Sequence, residues 1–278
     1  MKPDSPLVST QWLADHLAAP DVRVADASWY LPQAGRDAKA EYASAHIPGA
    51  VFFDIDDLSD EKSPLPHMLA PAPKFAGRMR RLGLGDGNLI VVYDGAGIYS
   101  SARAWWMLRA MGHEDVVVLD GGLPKWRAEG RPVEDMVPNP SYRHFTPRPN
   151  NALVRDFDQM NANLISRAEQ VVDARGAARF QGKEQEPRPG VKSGHMKGSV
   201  NIPYTEFTAE DGTLKPPAAL SKIFAAAGID PGKRVVTSCG SGVTAAIALL
   251  ALTVLGAKHA SLYDGSWAEW GARGAVET

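Results

Sequence analysis

Residues 233–246 read Lys-Arg-Val-Val-Thr-Ser-Cys-Gly-Ser-Gly-Val-Thr-Ala-Ala. Lys233 to Ser238 predicts a short buried strand that ends in polar residues. Cys239 is the single cysteine of the 278-residue chain. Gly240-Ser241-Gly242 can coil tightly, because glycine adopts positive φ at little steric cost. Val243 to Leu255 is apolar and rich in good helix formers, which predicts a buried helix. One thiol therefore stands where a strand stops, a glycine loop turns and a helix begins. The free N–H groups and partial positive charge of a helix start favour an anion, and a thiolate is one. Cys239 is the candidate nucleophile, cradled by main-chain amides.

Outward from this stretch the chain shows one pattern twice. Leu89-Ile90-Val91-Val92-Tyr93 is apolar enough for a central parallel strand, and Val116-Val117-Val118-Leu119 predicts the next. Val91-Val92 and Val235-Val236 stand 144 residues apart, as do Asp120-Gly121 and Asp264-Gly265. Asp26-Ala27 is answered by Asp173-Ala174, and His46-Ile47-Pro48-Gly49 by His195-Met196-Lys197-Gly198. A repeat of this length implies duplication of a whole domain. Strands alternating with helices imply an α/β fold, each half a mostly parallel sheet with helices on both faces. Residues 1–136 are expected to form one domain and 155–278 the other. Residues 137–154 are the expected linker, which overlaps a Pro- and Asn-rich stretch from Arg131 to Asn151. On the 144-residue offset Gly95 falls opposite Cys239, so the first half lacks the nucleophile. His46 and His195 recur in both halves, which points to a structural turn.

Composition narrows the function. A formal net charge of −2 argues against general affinity for nucleic acid or anionic membrane. The most apolar run, Ala245 to Leu255, is shorter than the roughly 20 residues of a membrane span. No basic start followed by an apolar core marks a secretory signal in residues 1–20. A lone cysteine excludes an internal disulfide and fits a reducing cytoplasm. It also excludes a thiolate zinc cluster, and the histidines lack metal-ligand spacing. Neither metal nor cofactor is expected.

Several further stretches carry a resemblance. They are His46 to Asp56, Ser63-Pro64-Leu65-Pro66-His67-Met68-Leu69, Arg179-Phe180 with Glu186-Pro187-Arg188, Cys239 to Thr244, and Asp264-Gly265-Ser266-Trp267-Ala268-Glu269-Trp270. In this order, on a duplicated chain, they resemble the two-domain rhodanese family of sulfurtransferases over nearly the whole length. Within it the chain looks most like the branch that takes sulfur from 3-mercaptopyruvate. The resemblance implies tandem rhodanese-like domains, a persulfide-forming cysteine in the second, and a site at the interface of the two.

The chemistry suits these residues. Moving a sulfur atom needs a thiolate that can make and break an S–S bond. Loop amides at Gly240, Gly242, Val243 and Thr244 would hold the thiolate and the outer sulfur of a persulfide. Arg179 and Arg188 match the family's substrate arginines, and paired guanidiniums suit a planar carboxylate and ketone. Ser241, His67 and Asp56 match a hydroxyl–imidazole–carboxylate relay that would move protons. Related thiosulfate enzymes place basic residues just after the cysteine, where this chain has neutral Gly240 and Ser241. A monoanionic donor is therefore expected, with pyruvate released. The outer sulfur would pass to a thiol acceptor such as thioredoxin or a small thiol, or to cyanide. No second cysteine exists to resolve the persulfide internally.

Four other readings compete. Gly240-x-Gly242-x-x-Ala245, with Asp264 downstream, fits a loose dinucleotide-binding pattern, but it lies too near the C-terminus to complete that fold. A cysteine phosphatase would need an arginine at 245, which is Ala245. A non-catalytic sulfur carrier and a thiosulfate:cyanide sulfurtransferase are the remaining two.

Overall fold

The structure is a computed structural model and describes residues 3–278. Two compact units emerge. The first comprises the chain up to Asp60, Leu69–Pro149 and Ala209–Leu214; the second comprises Glu61–Met68, Asn150–Thr208 and Lys215–Thr278.

In the first unit the chain runs β1 (Leu7–Val8), α1 (Thr10–His16), β2 (Val22–Asp26), α2 (Ala38–Ser44), β3 (Val51–Phe52), α3 (Ala72–Arg81), β4 (Leu89–Tyr93), α4 (Ser101–Ala110), β5 (Val116–Leu119) and α5 (Gly122–Ala128). The strands pair in parallel in the order β1-β5-β4-β2-β3. Every residue of β4 is buried, as expected for a central strand covered on both faces. Ser9 caps α1 by accepting the Trp12 N–H, and Asp37 caps α2 by accepting those of Lys39 and Ala40.

The second unit repeats this plan: β6 (Val154–Arg155), α6 (Phe157–Ser166), β7 (Gln170–Asp173), α7 (Ala177–Phe180), β8 (Ser199–Asn201), α8 (Pro217–Ala226), β9 (Val235–Ser238), α9 (Ala245–Val254), β10 (Ala260–Tyr263) and α10 (Ser266–Arg273). Its sheet is also parallel, in the order β6-β10-β9-β7-β8, the first order shifted by five strands. Val154 opens this sheet by pairing with Leu262, so the connector stops short of residue 154. Helix α9 is apolar all round and buried from Ala245 to Leu252, the pattern of a helix with no solvent face. Trp267 and Trp270 of α10 are fully buried in the core with Met160, Val171, Met196 and Val236.

The recurring histidines are structural in both units. His46 bridges its backbone to Glu134 and stacks on Tyr42; His195 bridges to Glu277 and stacks on Phe180.

Candidate active site

Cys239 follows β9 directly, and its backbone is fixed on both sides. Its N–H donates to Ser266 Oγ at 3.3 Å, and its carbonyl accepts the Trp267 N–H at 2.8 Å. The Ser266 hydroxyl in turn donates to the Tyr263 carbonyl at 2.8 Å. Ser266 holds φ of 48°, a left-handed conformation that non-glycine residues seldom adopt. The next carbonyl, of Gly240, accepts from Ala268 N–H at 2.9 Å. The start of α10 thus anchors the head of the thiol loop.

Helix α9 begins at Ala245, two residues later than the apolar run predicts. Val243 and Thr244 therefore belong to the loop, and Gly242 turns it with φ of 79°. Among the described residues, the N–H groups of Gly240, Ser241, Val243 and Thr244 donate to no protein acceptor. Buried main-chain donors are ordinarily paired. Four unengaged donors beside a thiol make a loop ready for an anion.

The first unit shows what such a loop does with an anion. Sequence offset places Gly95 opposite Cys239, but hydrogen bonding places Asp94 there. The Asp94 carbonyl accepts the Leu123 N–H at 3.0 Å, as that of Cys239 accepts Trp267 N–H, and each residue directly follows its strand. The first loop is one residue longer before its helix, so a constant offset fails at its head. The buried Asp94 carboxylate accepts the N–H groups of Ala96, Tyr99 and Ser101, each at 2.8 Å. Burial raises its pKa, and those donors, Ser101 foremost, act against the rise. One loop carries an acidic side chain; the other carries the thiol.

Two guanidiniums flank the thiol loop. A Cβ built on Gly240 would lie 3.2 Å from Arg179 Nη2 and 3.6 Å from Arg188 Nη1. Glycine at 240 lets both arginines approach the backbone next to the nucleophile. Burial lowers the pKa of Arg188; attraction to Cys239 opposes this and repulsion from Arg179 adds to it. Burial also disfavours charge on Arg179, but bonding to Glu186, aided by Cys239, outweighs it and raises that pKa. Cys239 itself is 2% exposed, yet its surroundings are cationic and amide-lined, unlike those of an inert core cysteine.

His67 Nδ1 lies 2.9 Å from Ser241 Oγ, with both side chains buried. His67 also sits at positive φ, 59°. Asp56 belongs to the first unit, where its Oδ2 accepts the Trp29 indole N–H at 3.1 Å. The expected site residues in the second unit therefore assemble around Cys239: Ser241, His67, Arg179, Arg188 and the loop from Gly240 to Thr244. Three neighbours escaped the sequence reading. Glu186 bridges Arg175 and Arg179, Arg175 is buried against Asp173, and Ser266 holds the Cys239 amide. Glu186 and Ser266 lie inside motifs already singled out; Arg175 carried no local signal. Among the described residues, no group of three or more His, Cys, Asp or Glu side chains is placed to hold a metal ion.

A strand-loop-helix arrangement repeated on two parallel five-stranded sheets, with a thiol in the second copy, defines a tandem rhodanese-fold protein. The chain belongs to the rhodanese family: the rhodanese-like domain matches it twice, over residues 9–129 and 156–273. It is 44% identical to the human 3-mercaptopyruvate sulfurtransferase, across 98% of this chain and 93% of that protein. The crystal structure of SseA from Escherichia coli, a rhodanese-fold 3-mercaptopyruvate sulfotransferase, superposes with a TM-score of 0.87 at 40% identity. It covers 95% of this chain and 99% of that one. A bovine thiosulfate sulfurtransferase is 41% identical over 98% of this chain and 94% of its own length.

Proposed function

We propose that this chain is a 3-mercaptopyruvate sulfurtransferase acting through a persulfide on Cys239. The carrying observation is the placement of Arg179 and Arg188 against Gly240, one residue from the only thiol. The Cys239 thiolate attacks the sulfur of 3-mercaptopyruvate. The carbon–sulfur bond breaks, its electron pair leaves as the pyruvate enolate, and a proton converts that to pyruvate. Arg179 and Arg188 hold the donor's carboxylate and ketone. The loop amides stabilise the Cys239 thiolate before attack and the terminal sulfur of the persulfide after it. Ser241 and His67, with Asp56 as the third member of the relay, carry protons to the enolate and from the incoming acceptor. An external thiol, small or on a protein such as thioredoxin, or cyanide, then removes the outer sulfur.

Thiosulfate is the second donor to weigh, because the bovine relative bears that name at nearly the same identity. The neutral Gly240 and Ser241 favour the monoanionic donor, since a dianion calls for more positive charge beside the sulfur. The cytoplasm is the proposed compartment. The free thiol suits a reducing environment, and no helix among the described residues is long and apolar enough to cross a membrane.

The test is intact mass spectrometry after brief exposure to 3-mercaptopyruvate. One added sulfur atom on the wild-type chain, absent from Cys239→Ser and accompanied by pyruvate, is the expected result. An unmodified wild-type chain defeats the reading.

A further inference from the structure

Beside the thiol loop, four side chains form a line of alternating charge. The Asp173 carboxylate receives Arg175 through both Nε and Nη2, at 3.0 and 2.7 Å. Arg175 Nη1 donates to Glu186 Oε1 at 2.8 Å, and its guanidinium lies 4.0 Å over the Trp267 ring. Glu186 then takes Arg179, with Nε on Oε1 at 3.1 Å and Nη2 on Oε2. The side chains of Asp173, Arg175 and Glu186 are at most 2% exposed. Two carboxylates and two guanidiniums cancel. Arg188 remains: it makes no ion pair among the described residues, yet it lies against Gly240 beside Arg179.

Among the described residues Glu186 makes no hydrogen bond to the thiol loop; it bonds Arg175 and Arg179, and it acts through Arg179. Removing its charge would free Arg179 to act as a second uncompensated cation next to Cys239. We propose that Glu186 sets donor specificity, by cancelling Arg179 and leaving one unbalanced guanidinium, so that a monoanionic sulfur donor is preferred to a dianionic one. This rests on the sulfurtransferase reading above. The physical basis is one extra charge–charge attraction for the dianion at a separation of several ångströms. In a partly buried site of intermediate dielectric, this is worth about tenfold or more in relative rate.

The experiment compares kcat/KM for 3-mercaptopyruvate and thiosulfate, with cyanide as acceptor, in wild type, Glu186→Gln and Glu186→Asp. The Gln variant is expected to raise the thiosulfate-to-mercaptopyruvate ratio by about tenfold or more. The Asp variant, which keeps the charge, should stay near the wild-type ratio. Equal losses on both donors in the Gln variant would reduce Glu186 to a structural role, and an equal shift in both variants would show that charge is not the cause. Either result overturns the proposal. Should the wild-type chain turn over no mercaptopyruvate, the donor assignment fails by itself. The Glu186 inference then stands or falls on whether Gln, and not Asp, lowers the thiosulfate KM. If the Gln variant does not fold, competition on the wild-type protein decides: pyruvate, a monoanion, should inhibit more tightly than oxalate, a dianion. Tighter oxalate inhibition would overturn the proposal.

Discussion

The Ser266 hydroxyl accepts the main-chain N–H of Cys239, and to do so Ser266 adopts a left-handed backbone. The position equivalent in the first unit, one residue before Leu123 as Ser266 is one before Trp267, is Gly122, with φ of 56°. There glycine meets the backbone requirement without strain. In the second unit a serine stands at the same turn, and its hydroxyl is what glycine cannot supply. Ser266→Ala keeps the strained Cβ and orphans a buried N–H, which costs about 1–3 kcal/mol. Ser266→Gly orphans the same N–H but relieves the left-handed penalty, about 1 kcal/mol. Urea unfolding should therefore rank wild type above Gly and Gly above Ala, while both variants form the Cys239 persulfide more slowly. An Ala variant as stable as the Gly variant would contradict the strain argument.

The two arginines beside Gly240 differ in what else depends on them. Among the described residues Arg188 makes no ion pair, whereas Arg179 balances the buried Glu186. Arg188→Ala should leave stability within about 0.5 kcal/mol of wild type. It should raise the mercaptopyruvate KM by roughly ten- to a hundredfold, the value of a hydrogen bond to a charged group. Arg179→Ala should raise KM and also destabilise, because part of the compensation of a buried carboxylate is lost. Thermal unfolding with steady-state kinetics on both variants separates the roles. An unchanged KM in Arg188→Ala would remove that arginine from the site.

The fold was legible because its signals are local. The run Leu89–Tyr93 reads as a buried strand on any scale, and the glycines after Cys239 mark a loop whatever the rest of the chain does. The nucleophile was legible for the same reason. Asp94 was misaligned by one residue because the two loops differ in length, and only hydrogen-bond register reveals where the extra residue lies. Arg175 stayed hidden because its meaning comes from Asp173, Glu186, Gly194 and Trp267 together. Nor did anything in Ala209–Leu214 announce that it packs with the first unit. There the Leu214 N–H donates to Asp120 at 2.8 Å, and Gly212 lies so close to Gly97 that a Cβ on either would crowd the other.

His67 and Ser241 meet at hydrogen-bond distance inside the second unit. If they act as one relay, removing either disables the same step. Ser241→Ala and His67→Ala should each lower kcat by about 10²-fold or more, the usual scale of general acid–base catalysis. The double variant should then be little worse than the singles, as for residues that act as a unit. Losses that multiply would show independent roles. Persulfide formation and acceptor turnover, measured separately by single-turnover kinetics, would locate the affected step.

Asp26 carries a pH signature in the first unit. Burial pushes its carboxyl up to about 6, against hydrogen bonds from Ser28 and Tyr93 that favour the charged form. Ser28 donates both its N–H, at 2.9 Å, and its hydroxyl, at 2.5 Å, to Asp26 Oδ1. A carboxyl with a raised folded pKa binds a proton in the native state before the unfolded chain does. Stability from this group is therefore greatest below pH 4 and is lost as pH rises through about 6. Asp26→Asn keeps the acceptor oxygen without the charge. At pH 7.5 it should be more stable than wild type by at most about 3 kcal/mol, and so unfold at a higher urea midpoint. The two proteins should converge near pH 4. Other carboxylates titrate in the same range, so the quantity to read is the difference between the proteins at each pH. A difference that does not change between pH 4 and 7.5 would mean that Asp26 ionises in the folded protein as it does in the unfolded chain.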